Sequence, residues 1–365
     1  MKVLHVIARM NVGGTATYLH SLISGLDERG VDELLAVGNV PPNEREDSRL
    51  KELKFTRVLN MSRRLSFASD IRAFKELRTL VVDFKPDLIH SHTFKAGLLS
   101  RVMNFGVPTV HTFHGHHLYD PEFGRFSRKV MNFVEKVLAK RSRKLLTIGA
   151  KVGKELLEAG IGSSSQFISI SPGIEELGRV DRRAMRRKFG IAESAFVVVW
   201  LGRFTRVKRP DLVLEVAKLL PEMVFVMAGD GELLDEIRDA APSNLKIVGV
   251  QSAAEMWGFA DVGLLTSDSE GMPLSVIEAQ MCGVPVVAND VGSVSEIVED
   301  EVTGKLVSGT PAELASAISS LVESPNTLQS MGEAAKRRAR KLFSREVMVD
   351  RHLEVYEEIL GKVSK

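Results

Sequence analysis

Two glutamates lie close to a predicted helix start, and their side chains are suited to binding a polar ligand. Glu270 lies in the loop before the segment, and Glu278 lies about one turn into the helix predicted over residues 273–282. Proline is tolerated at the first helical position, because its missing N–H would have no partner there. Pro273 is therefore expected in the first turn. The free N–H groups of Leu274 and its neighbours would then form a site that favours phosphate.

The chemistry of the two glutamates extends this interpretation. A carboxylate accepts hydrogen bonds from vicinal hydroxyls, and a ribose or a hexose offers such pairs. A phosphate site flanked by Glu270 and Glu278 indicates a sugar nucleotide. The alternative is a strand–loop–helix unit with two solvated surface glutamates, since Glu is mostly exposed in proteins.

Two cations follow the end of a predicted buried strand. The apolar run FVVVWL at 196–201 ends at Gly202, then Arg203 follows, and Lys208 comes five residues after it. Arginine offers a planar fork and lysine a point charge, a combination that can converge on a diphosphate leaving group. Taken alone, the two side chains could also be exposed basic residues in a polar loop.

Histidines are dense at the ends of two predicted strands. His90 and His92 end one strand, and His114 follows the next, in the string PTVHTFHGH. Such density could suggest zinc, but structural zinc sites favour thiolates or defined histidine spacings, and neither is present. A strand-end histidine directed into a cleft is the favoured interpretation, with His114 as the candidate. His111 and His116 are expected to be surface or capping residues.

The string EGMPLSVIEAQMCGVPVVANDVGSVSEIVEDEVTG, at 270–304, resembles the signature of the retaining glycosyltransferase family 4 (group 1). The resemblance implies the GT-B fold, an α/β fold in which two Rossmann-like doubly wound parallel-sheet domains face each other across a cleft. The alternation of predicted strands and helices also favours parallel sheets. We expect domains at 1–171, on the acceptor side, and 172–343, which binds the nucleotide sugar. A C-terminal helix at 344–365 is expected to pack back on the first.

The resemblance also implies roles for individual residues. Arg203 and Lys208 would hold the departing diphosphate, while Glu270 and His114 would contact the transferred sugar. These four residues are the predicted catalytic residues. The predicted donor-binding residues are Gly13, Gly14, Gly202, Gly229, Val250, Gly271, Met272, Pro273, Leu274 and Glu278, with Glu278 on the ribose.

The chain departs from the family pattern at two places. Pro172 stands in the hinge sequence where the family usually has Asn, and Arg209-Pro210 follows Lys208 where the family usually has Gly. The second departure predicts a slightly different helix start. The glycine pair at 13–14 is not the G-x-G-x-x-G of dinucleotide-binding proteins, so alone it is a weak signal.

Composition narrows the class of protein. The 365 residues suffice for two domains, and a formal net charge of +2 gives no argument for nucleic acid. With Cys282 as its only cysteine, the chain cannot form an internal disulfide. We expect no signal peptide and no membrane span, hence a cytoplasmic protein. Basic runs at 136–144, 182–188 and 336–341 are usually solvated faces, but they allow peripheral contact with the inner face of a membrane.

The resulting functional prediction is a retaining transferase that uses a nucleoside diphosphate sugar, with UDP preferred. It would move a hexose or N-acetylhexosamine to a hydroxyl of a saccharide, lipid-linked or small-molecule acceptor, with no metal or other cofactor. Two alternatives stay open: a sugar-nucleotide epimerase of similar fold, and a non-catalytic sugar-nucleotide-binding protein. A metal-dependent transferase would carry an Asp-x-Asp at a strand end, and none occurs in such a context.

Overall fold

The computed structural model describes residues 1–42, 44–62, 66–102, 105–115 and 124–362, apart from the side chain of Arg125. The chain forms two compact units. The N-terminal unit comprises Met1–Ile174 and Arg345–Lys365, and the C-terminal unit comprises Glu175–Ser344.

Strands and helices alternate along most of the chain. The strands are β1 (Lys2–Ile7), β2 (Asp32–Val37), β3 (Phe55–Arg57), β4 (Leu88–His92), β5 (Thr109–Phe113), β6 (Lys144–Thr147), β7 (Phe167–Ser169), β8 (Val197–Leu201), β9 (Val224–Ala228), β10 (Leu245–Ile247), β11 (Val262–Leu265), β12 (Val286–Asn289) and β13 (Gly304–Val307). The helices are α1 (Gly14–Glu28), α2 (Phe67–Phe84), α3 (Phe94–Val102), α4 (Arg125–Ala139), α5 (Ala150–Glu158), α6 (Arg182–Lys188), α7 (Pro210–Leu219), α8 (Leu234–Asp239), α9 (Ala253–Phe259), α10 (Leu274–Met281), α11 (Val294–Ile297), α12 (Pro311–Val322), α13 (Pro325–Leu342) and α14 (Arg345–Leu360).

Each unit is built on a parallel sheet. The strands of the N-terminal unit follow the order β3-β2-β1-β4-β5-β6-β7, and those of the C-terminal unit follow β10-β9-β8-β11-β12-β13. All the strand pairings in both sheets are parallel. The predicted α/β class with two doubly wound parallel sheets is confirmed.

The strand order locates the place in each unit where a ligand would bind. The order reverses between β1 and β4 in the first sheet and between β8 and β11 in the second. Open parallel sheets bind ligands outside the carboxyl ends of their strands, at such a reversal. The loops after these four strands are therefore the places to look for functional side chains.

Buried side chains hold the helices on the sheets. In the C-terminal unit, Phe204, Phe225 and Val213 are fully buried in a core between the sheet and its helices. In the N-terminal unit, Leu4, Ala36 and Leu77 belong to the corresponding core. The near-continuous apolar runs of the strands are typical of parallel sheets covered on both faces.

Three local predictions were wrong or displaced. The sequence pattern predicts a turn at Thr303-Gly304; Thr303 lies in a turn, but Gly304 begins β13, where it pairs with Val286. The sequence pattern also predicts a short strand at 57–60, and the structure places this strand at Phe55–Arg57. The helix predicted from Pro273 begins at Leu274, with Pro273 in the N-cap position. A cap residue keeps an extended backbone, and the φ of −70° and ψ of 115° at Pro273 fit that geometry.

Candidate active site

In the C-terminal unit, a short ion pair lies at the reversal of strand order. Lys208 Nζ lies 2.6 Å from Glu270 Oε1, and Ser267 Oγ donates to the same oxygen at 2.6 Å. The Glu270 side chain is only 7% exposed and that of Lys208 is 24% exposed. A carboxylate withdrawn from water this far needs charged and hydrogen-bonding partners. Two of the predicted catalytic residues are thus in direct contact.

Buried hydrogen bonds fix the backbone that carries this pair. Trp200 Nε1 donates to Thr266 Oγ1 at 3.1 Å, and Thr266 Oγ1 donates in turn to the carbonyl oxygen of Lys208 at 2.9 Å. Trp200 lies on β8, and Thr266 directly follows β11. The two strands that border the reversal are therefore tied to the Lys208 loop, which restricts where the ammonium group can lie.

Arg203 directly follows the strand end at Gly202, and its side chain is exposed. The neighbouring backbone is held firmly: Phe204 N donates to Asp230 O at 2.9 Å, and Leu233 N donates to Phe204 O at 2.9 Å. Within the described part of the chain, no carboxylate forms an ion pair with Arg203. A fixed backbone with an uncommitted guanidinium is suited to binding an anionic ligand.

Two glycines allow the loops of this site to approach each other. Gly229 has φ 141°, and a Cβ placed on it would lie 1.8 Å from the carbonyl oxygen of Gly202. Gly292 has φ 55°, and its Cβ would lie 1.7 Å from the carbonyl oxygen of Glu270. Only glycine fits at such distances and torsion angles. Gly292, which was not among the predicted site residues, therefore supports the backbone of Glu270.

The N-terminus of α10 lies in the loop segment that follows Glu270. Val276 N and Ile277 N donate to the carbonyl of Pro273, so the helix ladder starts there. The N–H groups of the two preceding residues, Leu274 and Ser275, have no intrahelical acceptor, as at every helix start. The side chains of Met272 and Pro273 are buried, which leaves backbone rather than side chain for ligand contact. Gly271 is tied down because its carbonyl accepts from Ser293 N at 3.1 Å.

Glu278 is half-buried on α10, near Cys282 at the end of the same helix. Burial, with the Glu278 charge as a further cause, raises the pKa of the Cys282 thiol to about 11. Cys282 is partly buried, and a thiol with a raised pKa stays protonated and unreactive at ordinary pH.

The remaining predicted donor contacts in this unit lie at the ends of β8, β9 and β10. Gly229 N donates to Gly249 O at 2.8 Å, which joins the loops after β9 and β10. Val250 follows directly, and its side chain is exposed. Gly202 N donates to Ala228 O at 3.1 Å. These predicted residues therefore form a continuous edge at the carboxyl side of the sheet.

Arg209 stands where the resembled family usually has glycine, and it keeps the backbone geometry that glycine would favour. Its φ is 48° and its ψ is 54°, in the left-handed region, and Pro210 begins α7. Bonds to Asp211, followed by interactions with Asp268, raise the pKa of Arg209 above its ordinary value. Ion pairing stabilises a conformation that is uncommon for a side chain with a Cβ.

In the N-terminal unit, the predicted glycine pair caps α1. Gly13 has φ 152°, and its carbonyl accepts from Ala16 N and Thr17 N at 3.1 Å. Gly14 is the first residue of the helix. The loop follows β1, one of the two strands at the reversal of order, so it lies where a ligand of this unit is expected.

His114 follows β5, and its ring is half-buried. Burial, followed by interaction with His352, lowers the pKa of His114 to about 3. The imidazole is therefore neutral at physiological pH. It borders a cavity of about 290 Å³ whose lining also includes Thr15, Thr93 and Asn132.

The prediction for His111 was wrong, because this residue is buried rather than a surface or capping residue. Its exposed fraction is 1%, and its Nδ1 lies 2.9 Å from Ser91 Oγ. The reason is its place inside β5, where both faces of the sheet are covered. His116 lies outside the described residues.

A further group of histidines was not predicted as part of a site. His5, His90 and His92 have no exposed surface, and one ring nitrogen from each lies within 4.8 Å of the other two. Strand register explains the cluster, since His5 pairs with His90 and both point to the same face of the sheet. The sequence signal was a polar residue within the apolar run of β1.

Comparison with known protein families decides the identity of the fold and its chemistry. The family model "Glycosyl transferases group 1" matches residues 181–338, and the model "Glycosyl transferase 4-like domain" matches residues 13–168. The chain belongs to the group 1 glycosyltransferases. The two matches lie in the C-terminal and N-terminal units respectively.

Relatives of this glycosyltransferase are named for different substrates. The present chain is 28% identical over 271 residues to the Escherichia coli UDP-Gal:alpha-D-GlcNAc-diphosphoundecaprenol alpha-1,3-galactosyltransferase. This match covers 68% of the present chain and 70% of the relative. The present chain is 30% identical over 304 residues to the D-inositol 3-phosphate glycosyltransferase of Geodermatophilus obscurus, covering 74% and 66%. Glycosyl transfer is common to both names.

Solved structures confirm the GT-B fold of this glycosyltransferase. The sucrose-phosphate synthase of Thermosynechococcus elongatus matches with a TM-score of 0.86 and 18% identity over the full length of both chains. Anabaena HepE, solved with UDP and glucose, matches with a TM-score of 0.85 and 19% identity, covering 98% of this chain and 100% of HepE.

Basic runs on three helices have different surroundings. On α6, Arg186 is buried, donating to the Asp261 carboxylate at 2.8 Å. On α13, Arg338 donates to the carbonyl oxygen of Ile297 at 3.1 Å. On α4 the basic residues are mostly exposed. Among the described helices, none combines the length and apolar character needed to cross a bilayer.

Proposed function

We propose that this glycosyltransferase takes a hexose or N-acetylhexosamine from a UDP-sugar and transfers it with retention of anomeric configuration. The observation that carries the proposal is the arrangement in the C-terminal unit of Arg203, the Lys208–Glu270 pair and the N-terminus of α10. Cations and a helix start next to a sugar-binding carboxylate match the charge and shape of a nucleoside diphosphate sugar. The name of the E. coli relative and the ligands of HepE favour UDP as the nucleotide of the donor.

In this proposal the diphosphate leaves into a fixed electrostatic site. The Arg203 guanidinium and the Lys208 ammonium neutralise the charge that develops on the phosphate as the glycosidic bond breaks. The N–H groups at the start of α10 add their dipole. Preorganised charge of this kind is usually the largest single contribution to catalysis. No metal ion is then required, because the protein supplies the cations.

Glu270 has two functions in this scheme. Its Oε1 holds the Lys208 ammonium and the Ser267 hydroxyl, each at 2.6 Å. No hydrogen bond from the described residues reaches its Oε2, which is free to accept from a hydroxyl of the transferred sugar. Glu278 would bind the ribose, and the backbone around Val250 would lie beside the base.

The acceptor binds, in this proposal, to the N-terminal unit. The cavity of about 290 Å³ beside His114 has polar groups from Thr15 and Asn132 and apolar groups such as Phe94. Such a mixed lining is suited to a sugar ring, which has both hydroxyls and apolar faces. His114, at the border of this cavity, would contact the transferred sugar of the donor as a neutral imidazole.

An assay of product chemistry tests the function. The protein is incubated with a panel of UDP-sugars and acceptors, with and without EDTA, and UDP release and the product anomer are measured. We expect acceptor-dependent UDP release, insensitivity to EDTA and a product with the anomeric configuration of the donor. Conversion of the sugar nucleotide without acceptor would favour the epimerase, and an inverted product would contradict retention.

We also propose peripheral binding to an anionic membrane through α4. Phe126, Val130, Phe133 and Val137 are exposed and share one face, at helical spacings of four, three and four residues. Exposed lysines at 129, 136 and 140 lie along one side of this stripe. An apolar stripe flanked by lysines is typical of helices that lie in the interface of an anionic bilayer.

Sedimentation with vesicles tests the membrane proposal. Wild type is expected to bind vesicles that contain phosphatidylglycerol more than vesicles of phosphatidylcholine alone. Phe133→Ser should reduce binding severalfold. Phe67→Ser is the matched control, because Phe67 is 85% exposed on α2 of the same unit but lies outside the stripe. Equal loss in both variants, or no preference for anionic lipid, would contradict the proposal.

A further inference from the structure

A chain of polar side chains crosses the centre of the N-terminal sheet. Glu33 Oε2 lies 2.6 Å from His5 Nε2. His5 Nδ1 lies 3.2 Å from His92 Nε2, and His92 Nδ1 lies 3.2 Å from His114 Nε2. In both His5 and His92, Nε2 lies on the side of the Glu33 carboxylate and Nδ1 lies on the side of His114.

Strand register produces this alignment. Val3 pairs with Glu33, and Ile7 pairs with His92, in the neighbouring strands β2 and β4. Because side chains alternate along a strand, Val3, His5 and Ile7 point to one face, and their partners Glu33 and His92 share it. The chain therefore follows the hydrogen-bonding direction of the sheet, across the reversal of strand order between β1 and β4.

Burial limits the charge that the chain can carry. Glu33 is 3% exposed, and His5 and His92 are fully buried. Apart from the 2.6 Å contact with His5 Nε2, no donor among the described residues reaches either carboxylate oxygen of Glu33. An isolated negative charge is strongly unfavourable in such a site, so Glu33 and His5 must hold a proton between them. The pair is then neutral as a whole.

The proton shared by Glu33 and His5 determines which ring nitrogen is the donor in each of the other two hydrogen bonds, His5–His92 and His92–His114. With a proton between Glu33 and His5 Nε2, the second proton of His5 is on Nδ1, which donates to His92 Nε2. The pKa of His92 lies well below its ordinary value and that of His114 is about 3, in both cases chiefly because of burial. Both rings are therefore neutral and carry one proton each. His92 then donates from Nδ1 to His114 Nε2, and the His114 proton is on Nδ1.

We propose that Glu33, His5 and His92 are positioning residues that fix the proton of His114 on Nδ1 and make that nitrogen a hydrogen-bond donor to substrate. The assignment of His114 to substrate binding rests on the proposed function. The direction of the chain does not, since it follows from burial and geometry within the N-terminal unit.

The same distances could suggest a metal site formed by His5, His90 and His92. The hydrogen bonds disfavour it, because His90 Nδ1 lies 2.6 Å from Tyr356 Oη and His90 Nε2 lies 2.6 Å from Thr112 Oγ1. Both ring nitrogens of His5 and both of His92 also have partners in the hydrogen-bond series that runs from Glu33 to His114. A metal would have to replace these contacts.

The first test is the tautomer of His114 in the wild-type protein, which needs no substrate and no variant. Protein labelled with ¹⁵N-histidine is examined by long-range ¹H–¹⁵N NMR, and the His114 signal is assigned from its loss in His114→Gln. We expect a proton on Nδ1. A proton on Nε2 would overturn the proposal, and so would one equivalent of bound transition metal per chain in elemental analysis.

Two substitutions at Glu33 then test the direction of the chain. Glu33→Gln places an amide N–H where the shared proton lies, so the His114 tautomer should persist and kcat should stay within about twofold of wild type. Glu33→Met removes the donor, so His114 should show mixed tautomers and kcat should fall about tenfold, the cost of one lost hydrogen bond. His90→Gln is the control, because His90 is equally buried but its hydrogen bonds go to Tyr356 and Thr112 rather than to the Glu33–His5–His92–His114 series. The His114 tautomer should be unchanged in this variant.

The outcomes separate this proposal from the proposed function. Loss of the single tautomer in Glu33→Gln, or its retention in Glu33→Met, would overturn the chain whatever the enzyme transfers. An Nδ1 proton that responds as expected in a protein with no transferase activity would support the chain and contradict the function. A fall in kcat with an unchanged tautomer would mean that Glu33 acts only through general stability.

Discussion

Replacing Arg203 by alanine should remove transferase activity and leave stability almost unchanged. The side chain is exposed, and its neighbours Phe204 and Asp230 hold the loop through backbone hydrogen bonds that do not involve the guanidinium. Surface substitutions of this kind usually change the free energy of unfolding by less than about 0.5 kcal/mol. The effect on the diphosphate should be far larger.

The magnitude follows from the charge that Arg203 would face. Two unit charges about 4 Å apart interact by about 4 kcal/mol at the effective dielectric constant of a protein surface. Loss of one preorganised donor at developing charge typically costs about 2.7–4 kcal/mol, or about 100-fold to 1,000-fold in kcat. We therefore expect kcat/KM for the UDP-sugar to fall at least about 100-fold, with the Tm unchanged.

The assay is initial-rate UDP release at several donor concentrations, with thermal unfolding measured on the same preparations. Arg206→Ala is the matched control, because Arg206 is also exposed and lies three residues further along the same loop. A control rate near wild type would show that the effect does not come from net charge alone. If Arg203→Ala kept more than about a third of wild-type kcat/KM, or if both variants lost activity equally, the assignment of the diphosphate site would be refuted.

Three further predictions concern the framework around the two sites. Lys208→Met should leave Glu270 without its cation and lower the free energy of unfolding by about 1–3 kcal/mol, and an unchanged Tm would show that the ion pair does not stabilise the fold. Gly292→Ala should cost at least about 2 kcal/mol more than Gly190→Ala, because both have positive φ but only Gly292 meets a backbone oxygen; equal denaturation midpoints would contradict this. Burial lowers the pKa of His352 to about 4, so the unfolded chain binds a proton from pH 6.5 downwards while the folded chain stays neutral. The contribution of His352 to stability should therefore be fully present above pH 6.5 and fall by about 1.4 kcal/mol per pH unit towards pH 4. His352→Gln should reduce the slope of the acid-unfolding curve by that amount, and the other buried histidines should supply the rest of the slope.

Much of the fold could be predicted because its signals are local. Buried strands such as β8 and β11 are short apolar runs, and a proline at the first helical position, such as Pro311 of α12, is a local signal of a helix start. β13 was missed because Gly304 and Lys305 lack the apolar character of the inner strands. It lies at the edge of the sheet, where pairing with β12 decides the structure.

The candidate site was harder to predict, because its geometry depends on contacts distant in sequence. The Lys208–Glu270 contact joins residues 62 positions apart, and its length depends on how β8 and β11 pair. Gly292 was not predicted as a site residue, because nothing in the sequence shows that the carbonyl oxygen of Glu270 lies against it. The resemblance to the family selected residue types, but it gave no distances.

The histidine chain could not be predicted without strand register. His5 and Glu33 lie in apolar runs that sequence reasoning assigned to strands, and nothing local indicates that their side chains meet. A shift of one residue in the pairing would turn them to opposite faces. Parity along paired strands is therefore the signal that could have found the chain once strand order was known.

Nucleotide binding by the C-terminal unit is the central claim, and thermal unfolding with UDP, GDP or ADP tests it most directly. Wild type and Arg203→Ala would each be heated with the nucleotides at about 100 times the Kd of the one that binds. A bound nucleotide should add about 2.7 kcal/mol of stability, which corresponds to a rise in Tm of roughly 5–10 °C. We predict this rise with UDP in wild type and a much smaller one in Arg203→Ala. No shift with any nucleotide, or an equal shift in both proteins, would contradict the diphosphate site.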